Sequence, residues 1–80
     1  MSPTVFRVGP FRFFFFFSRE ESWMHIHVAS ADGEAKFWLE PEVELAKNYR
    51  LRSRDLTRIR QLIMERDEQI RDAWSEYFES

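Results

Sequence analysis

The 80-residue chain contains no cysteine. That absence excludes disulfides, thiolate nucleophiles and cysteine-ligated zinc, and it predicts a reducing, cytoplasmic setting. Glycine is almost missing too, with only Gly9 and Gly33. A phosphate-cradling glycine loop therefore has no material, which excludes NTPase and dinucleotide chemistry and predicts no cofactor. No serine stands beside a histidine in a nucleophile elbow. Met1-Ser2-Pro3-Thr4 lacks a basic stretch leading into apolar residues, so no signal peptide is predicted. The longest apolar run, Phe13–Phe17, falls far short of the roughly 18–20 residues that span a bilayer. No membrane association is expected. Charge of one sign is also lacking: 12 Lys+Arg against 14 Asp+Glu give a net −2, so no global field steers the chain towards nucleic acid.

Aromatic residues are what the chain has in quantity. Nine Phe, 3 Trp and 2 Tyr make 18% of it, within a hydrophobic fraction of 44%. Such content excludes a disordered polyelectrolyte, which lacks the apolar surface to offset its ordering entropy. The length predicts a single domain, 1–80, burying only about 60–65% of its unfolded surface. Large aromatic side chains enlarge so small a core, and a partner chain is a second way to do so. A small partner protein or a homo-oligomer is expected on that ground.

The pattern changes near Pro41. Residues 1–40 read as two β-hairpins, 41–52 as a connection and 53–79 as helical. Thr4–Val8 and Phe11–Phe17 flank Gly9-Pro10, which suits a type II′ turn because glycine takes the positive φ and proline the next, near −65°. That turn sets Val8 opposite Phe11, Arg7 opposite Arg12 and Phe6 opposite Phe13. Ser18–Ser22 is a polar loop. Met24–Ala29 and Glu34–Leu39 form the second hairpin around Ala31-Asp32-Gly33. Val43–Lys47 fits either a fifth strand or an irregular return. Beyond it, Ser53 is placed to cap a helix whose apolar stripe runs Leu56, Ile59, Leu62, Ile63, then Ile70, Ala73, Trp74, Tyr77 and Phe78. Arg66-Asp67 interrupts the stripe. Two helices or one kinked helix satisfy it, and the interruption favours two.

Period-two alternation sorts the strands into faces. Phe6, Val8, Phe11, Phe13, Phe15 and Phe17 share one, as do Ile26 with Val28 and Ala35 with Phe37 and Leu39. The opposite face collects Arg7, Arg12, Phe14, Phe16, His25, His27, Lys36 and Trp38. The fold class predicted is α+β: a small antiparallel sheet of four or five strands, with one or two C-terminal helices on its Phe-rich face.

Ordered blocks carry a resemblance: Thr4-Val5-Phe6-Arg7, Phe11 to Phe16, His25-Ile26-His27-Val28, Gly33 to Leu39, Glu44-Leu45-Ala46 and Trp74 to Phe78. Together they closely resemble the small bacterial domain-of-unknown-function family DUF4160, over essentially the whole chain. The resemblance implies a gene paired with a second small family, DUF2442, and hence the toxin-like half of a two-gene toxin–antitoxin module with a small antitoxin-like partner. It implies no assigned active site. Relatives carry Pro-Pro and extra polar residues before the His-x-His strand, where this chain has Glu21-Ser22-Trp23-Met24.

The residues themselves support two functional classes. His25 and His27 lie on one side of a strand, about 6.5–7 Å apart, and imidazoles that both give and take protons suit general acid–base catalysis. With Arg7, Arg12 and Lys36 holding phosphate, they would form a metal-independent ribonuclease-like site. A metal is not expected, because two imidazoles lack a third ligand beyond Glu34. The plainer alternative is a non-catalytic interaction module, with both histidines and Trp38 under a partner. Arg7 opposite Arg12 requires an acidic neighbour, whether Glu20, Glu21, a partner or a phosphate. Phe14, Phe16 and Trp38 suit stacked bases or a protein interface, and the pattern favours the interface. Finally, Lys47 to Arg60 carries six basic residues and one acid, with Arg54 and Arg58 as further candidate contacts to RNA or an acidic partner.

Overall fold

A computed structural model of the chain describes residues 4–16 and 23–78. Strands β1 (Thr4–Val8), β2 (Phe11–Phe14), β3 (His25–Ala29), β4 (Glu34–Trp38) and β5 (Glu44–Tyr49) form one antiparallel sheet in chain order. Helices α1 (Ser53–Glu65) and α2 (Asp67–Phe78) follow. The architecture is α+β, with the fifth strand formed and the helices distinct. Met1 to Pro3, Phe17 and the Ser18–Ser22 segment, with Glu20 and Glu21, lie outside the described residues.

The first hairpin has the register that its turn demands. Gly9 sits at φ 55°, a conformation cheap only for glycine, and Val8, Arg7 and Phe6 pair with Phe11, Arg12 and Phe13. One step on, Thr4 pairs with Phe14, so Val5 is an extra residue that bends the edge strand. The far edge repeats the device. Lys36 pairs with Lys47 but Phe37 with Leu45, leaving Ala46 as the extra residue of β5. Between these edges the Gly33 carbonyl accepts the Ser30 N–H at 2.9 Å and closes the second hairpin. A Cβ at Gly33 would collide with the Tyr49 carbonyl oxygen, so glycine is what lets β5 approach that turn.

Strand β2 is shorter than its apolar run, which predicts a strand to Phe17. The ladder with β3 stops at Phe14↔His27. Beyond that pair, Phe15 and His25 turn their rings edge-on to Trp74 of α2, at 5.4 and 5.2 Å. Side-chain packing with the helix replaces backbone pairing there. On the helical side, Phe13, Phe15, Ile26, Val28, Phe37 and Leu39 meet Ile59, Leu62, Ile63, Ile70 and Trp74 in one buried cluster.

The start of α1 differs from the expected cap. Arg52 holds the N-cap position with φ −83° and ψ 161°, and Ser53 is already helical. The Asp55 carboxylate accepts the Arg52 backbone N–H at 3.2 Å, which ties down the entry to the helix and places negative charge at its N-terminus. The frame shifts by one residue because Asn48 clamps Leu51: its amide donates to the Leu51 carbonyl at 3.0 Å and its oxygen accepts the Leu51 N–H at 3.1 Å. Ser53→Ala should therefore move stability by no more than about 0.5 kcal/mol, whereas Asp55→Ala should cost about 0.5–1 kcal/mol. Urea midpoints of the two variants check this, and the reverse order would restore Ser53 as the cap.

Arg66 separates the helices. Its N–H bonds the Leu62 carbonyl at 3.1 Å, while its own carbonyl accepts the Ile70 N–H at 3.0 Å. Arg71 then fastens α2 to the sheet, bonding Asp67 at 2.9 Å, Glu40 at 2.8 Å and the Leu39 carbonyl at 3.0 Å. The bond to Asp67 does most to raise the Arg71 pKa above its usual range; burial opposes it and Glu40 assists.

Candidate functional site on the open sheet face

Antiparallel pairing lays out the face opposite the helices in rows. Arg7 faces Arg12, and from Arg12 a row continues through Ala29 and Glu34 to Tyr49. The next row is Phe14, His27, Lys36 and Lys47. His25 faces Trp38, which faces Glu44. Arg7, Arg12, His25, His27, Lys36 and Trp38 therefore do share a sheet face, as the alternation predicts.

The centre of this face is more closed than sequence alternation implies. His25 is 2% exposed, Phe14 4% and Lys36 7%. Rings and cations cover one another. The Arg12 guanidinium lies 4.5 Å over Phe14, Phe14 stacks on His27 at 5.4 Å, and the Lys36 ammonium lies 4.4 Å over Trp38. Long cationic side chains bury their stems in this way while the ring faces attract the charge. Arg12 also donates to the Thr4 hydroxyl at 2.8 Å, a neutral partner beside the opposed Arg7. The acidic candidates Glu20 and Glu21 are outside the described residues.

The two histidines occupy different environments. His25 Nδ1 lies 2.8 Å from the Trp23 carbonyl oxygen. An oxygen without hydrogen only accepts, so a neutral ring carries its proton on Nδ1 and keeps Nε2 as acceptor. The ring is packed edge-on against His27 at 5.2 Å, Trp38 at 6.0 Å and Trp74 at 5.2 Å. His27 is half-buried and the more accessible of the pair. Within reach of both opens a groove of about 700 Å³, lined by Phe16, His25, His27, Lys36, Lys47 and Tyr49, with Glu34 at one side. Phe16 and Tyr49 are each more than half exposed. Lys47 and Tyr49 enter the site only because β5 is a true strand, and extending alternation through Tyr49 is the signal that would have placed them.

Arg54 and Arg58 are not part of this site. Both are exposed on α1, in the layer behind the sheet, and Arg58 donates to Gln61 at 3.4 Å. A separate hollow of about 850 Å³ between β1 and α2 is lined by Glu65, Glu68, Asp72 and Glu76 among others, and holds none of the candidate residues. Among the described residues no three His, Asp or Glu side chains are grouped to hold a metal, and no helix is long and apolar enough to cross a membrane.

The family model described as Domain of unknown function (DUF4160) matches residues 11–75. The chain belongs to this family. No curated protein and no solved structure matches it significantly. The DUF4160 match spans β2 to α2 and includes both histidines, both opposed lysines and the aromatic groove. Strand β1, with Arg7, lies ahead of it.

Proposed function

We propose that the chain is the toxin-like component of a two-gene toxin–antitoxin pair, and that it acts by binding single-stranded RNA across the open sheet face. The toxin-like role follows the family resemblance. The RNA reading is carried by one observation: Lys36 and Lys47 stand directly opposite each other in the row that contains Phe14 and His27, between the exposed rings of Phe16 and Tyr49. Exposed Lys47 offers a phosphate a charge-assisted contact beside those rings. Exposed rings beside a cationic row offer bases a stacking surface. His25 lines the groove with His27, but at 2% exposure and with Nδ1 held at the Trp23 carbonyl oxygen it favours binding over cleavage.

A labelled oligouridine titrated into the purified chain tests this. One phosphate contact, at Lys47, predicts a log–log salt slope near −0.7, at about 0.7 per contact on single strands. Lys47→Ala should reduce that slope by about 0.7, and Tyr49→Ala should weaken binding by about 1–3 kcal/mol. Arg54→Ala and Arg58→Ala should leave both unchanged. Induction of the chain alone should arrest bacterial growth, and Lys47→Ala/Tyr49→Ala should relieve the arrest. RNA loss that persists in EDTA and vanishes in His27→Ala would add cleavage to the role. Binding indifferent to Lys47 and Tyr49 would remove RNA from this face.

A further inference from the structure

The groove beside the cationic row also holds a carboxylate, a group that repels phosphate. Glu34, exposed at the start of β4, lines the groove of about 700 Å³ together with Lys47 and Tyr49. It also lines an adjoining hollow of about 400 Å³ with Arg12, Phe14 and His27. Phe16 and His27 belong to both hollows, so Glu34 stands on their common wall. Among the described residues it is the one carboxylate lining either, and its side chain makes no hydrogen bond or ion pair with them. Its neighbours are fixed by register: Glu34 faces Tyr49 on one side and Ala29 on the other. Directly paired residues hold their Cβ atoms about 4.5–5.5 Å apart. A base resting on the exposed Tyr49 ring therefore brings its edge within reach of this carboxylate, and the small Ala29 leaves the other flank open.

We infer that Glu34 is a specificity-determining residue that selects guanine, an inference that rests on the RNA reading of this groove and names the base it takes. A carboxylate offers acceptors only. Guanine presents two adjacent donors on its Watson–Crick edge, N1–H and the N2 amine, so both carboxylate oxygens are satisfied in charge-assisted bonds. Cytosine and adenine each set an amine beside a bare ring nitrogen, whose lone pair would face the second oxygen. Uracil sets a single N–H between two carbonyls, and both repel the carboxylate. A purine also covers more of the Tyr49 and Phe16 rings than a pyrimidine does. Glu34 thus adds discrimination rather than general affinity: it opposes every phosphate and compensates only for a base with matching donors.

The test compares the binding of labelled uridine pentamers that carry guanosine, inosine, adenosine, cytidine or uridine at the centre. Guanosine should bind about tenfold more tightly than uridine, the lower end of the range for one bidentate base contact. Inosine keeps N1–H but lacks the N2 amine, so it should fall between them. Glu34→Gln should erase the preference by moving the two ends in opposite directions, with guanosine binding weakened and uridine binding strengthened. A carboxylate that acts only through its charge or through the fold would shift all five pentamers together, and that result overturns the assignment. The urea midpoint of Glu34→Gln should match the wild type, since the side chain is exposed. Equal affinity across the five with the Lys47 dependence intact overturns the guanine assignment and leaves RNA on this face. A guanosine preference that survives in Glu34→Gln does the same. Failure of every pentamer to bind overturns both.

Discussion

Phe37→Ala should lower the free energy of unfolding by about 3–5 kcal/mol, while its neighbour Trp38→Ala leaves the fold standing. Phe37 is 2% exposed and lies within the cluster between sheet and helices. Truncation removes its transfer free energy and leaves a cavity that the surrounding strands cannot close. Small domains have about 5–15 kcal/mol in total, so the variant should be largely unfolded at modest urea. Trp38 points to the other face, where it touches Trp23, His25 and the Lys36 ammonium. Its loss should weaken ligand binding before it weakens folding. Urea titration of both variants decides the matter. An unfolded Trp38→Ala beside a stable Phe37→Ala would invert the strand by one residue, since a one-step slip exchanges the faces.

Trp74→Ala should cost a similar amount, about 3–5 kcal/mol, for a different reason. This ring is the junction at which α2 meets the divergence of β2 and β3. It contacts Phe15 at 5.4 Å, His25 at 5.2 Å and Phe78 at 4.2 Å. Without it, His25 loses the wall that holds it, and the groove beside His27 should lose order together with the helix. Trp74→Phe should recover a large part of the stability because edge-on aromatic contact survives. A urea midpoint unchanged in Trp74→Ala would mean that α2 docks through Ile70 and Arg71 alone.

Much of this fold was legible because its local signals agree. Gly9-Pro10 admits few turn geometries, and those fix which residues of β1 and β2 face each other. Once Phe13 is inside, alternation assigns Ile26, Val28, Phe37, His27 and Lys36 without further information. Capping was less legible, because Ser53 and Asp55 both suit a helix start and the choice depends on Asn48, several residues upstream and on another element. Burial on the open face was not legible either. Alternation says which way Phe14, His25 and Lys36 point, but not that Arg12, Trp38 and Trp74 close over them. Nor was the placement of Arg54 and Arg58 legible: charge counted along a sequence carries no record of the layer on which it lands, and both stand on α1, behind the sheet.

The bulges at Val5 and Ala46 have a consequence for how the chain survives at high concentration. Phe11 to Phe16 is a run of strongly β-forming, nearly uncharged residues, the composition that stacks into cross-β fibrils when left unpaired. In this topology its strand, Phe11–Phe14, never forms a border, because β1 and β3 bond it on both sides. The borders are instead β1 and β5, each bent by an extra residue and each bearing a cation, Arg7 or Lys47. Bends and charges of this kind discourage the addition of foreign strands. Five residues at the start of the sheet, modest in burial and outside the family match, thus act as a sheath over the most fibril-prone segment, and fraying of β1 is the event that would bare it.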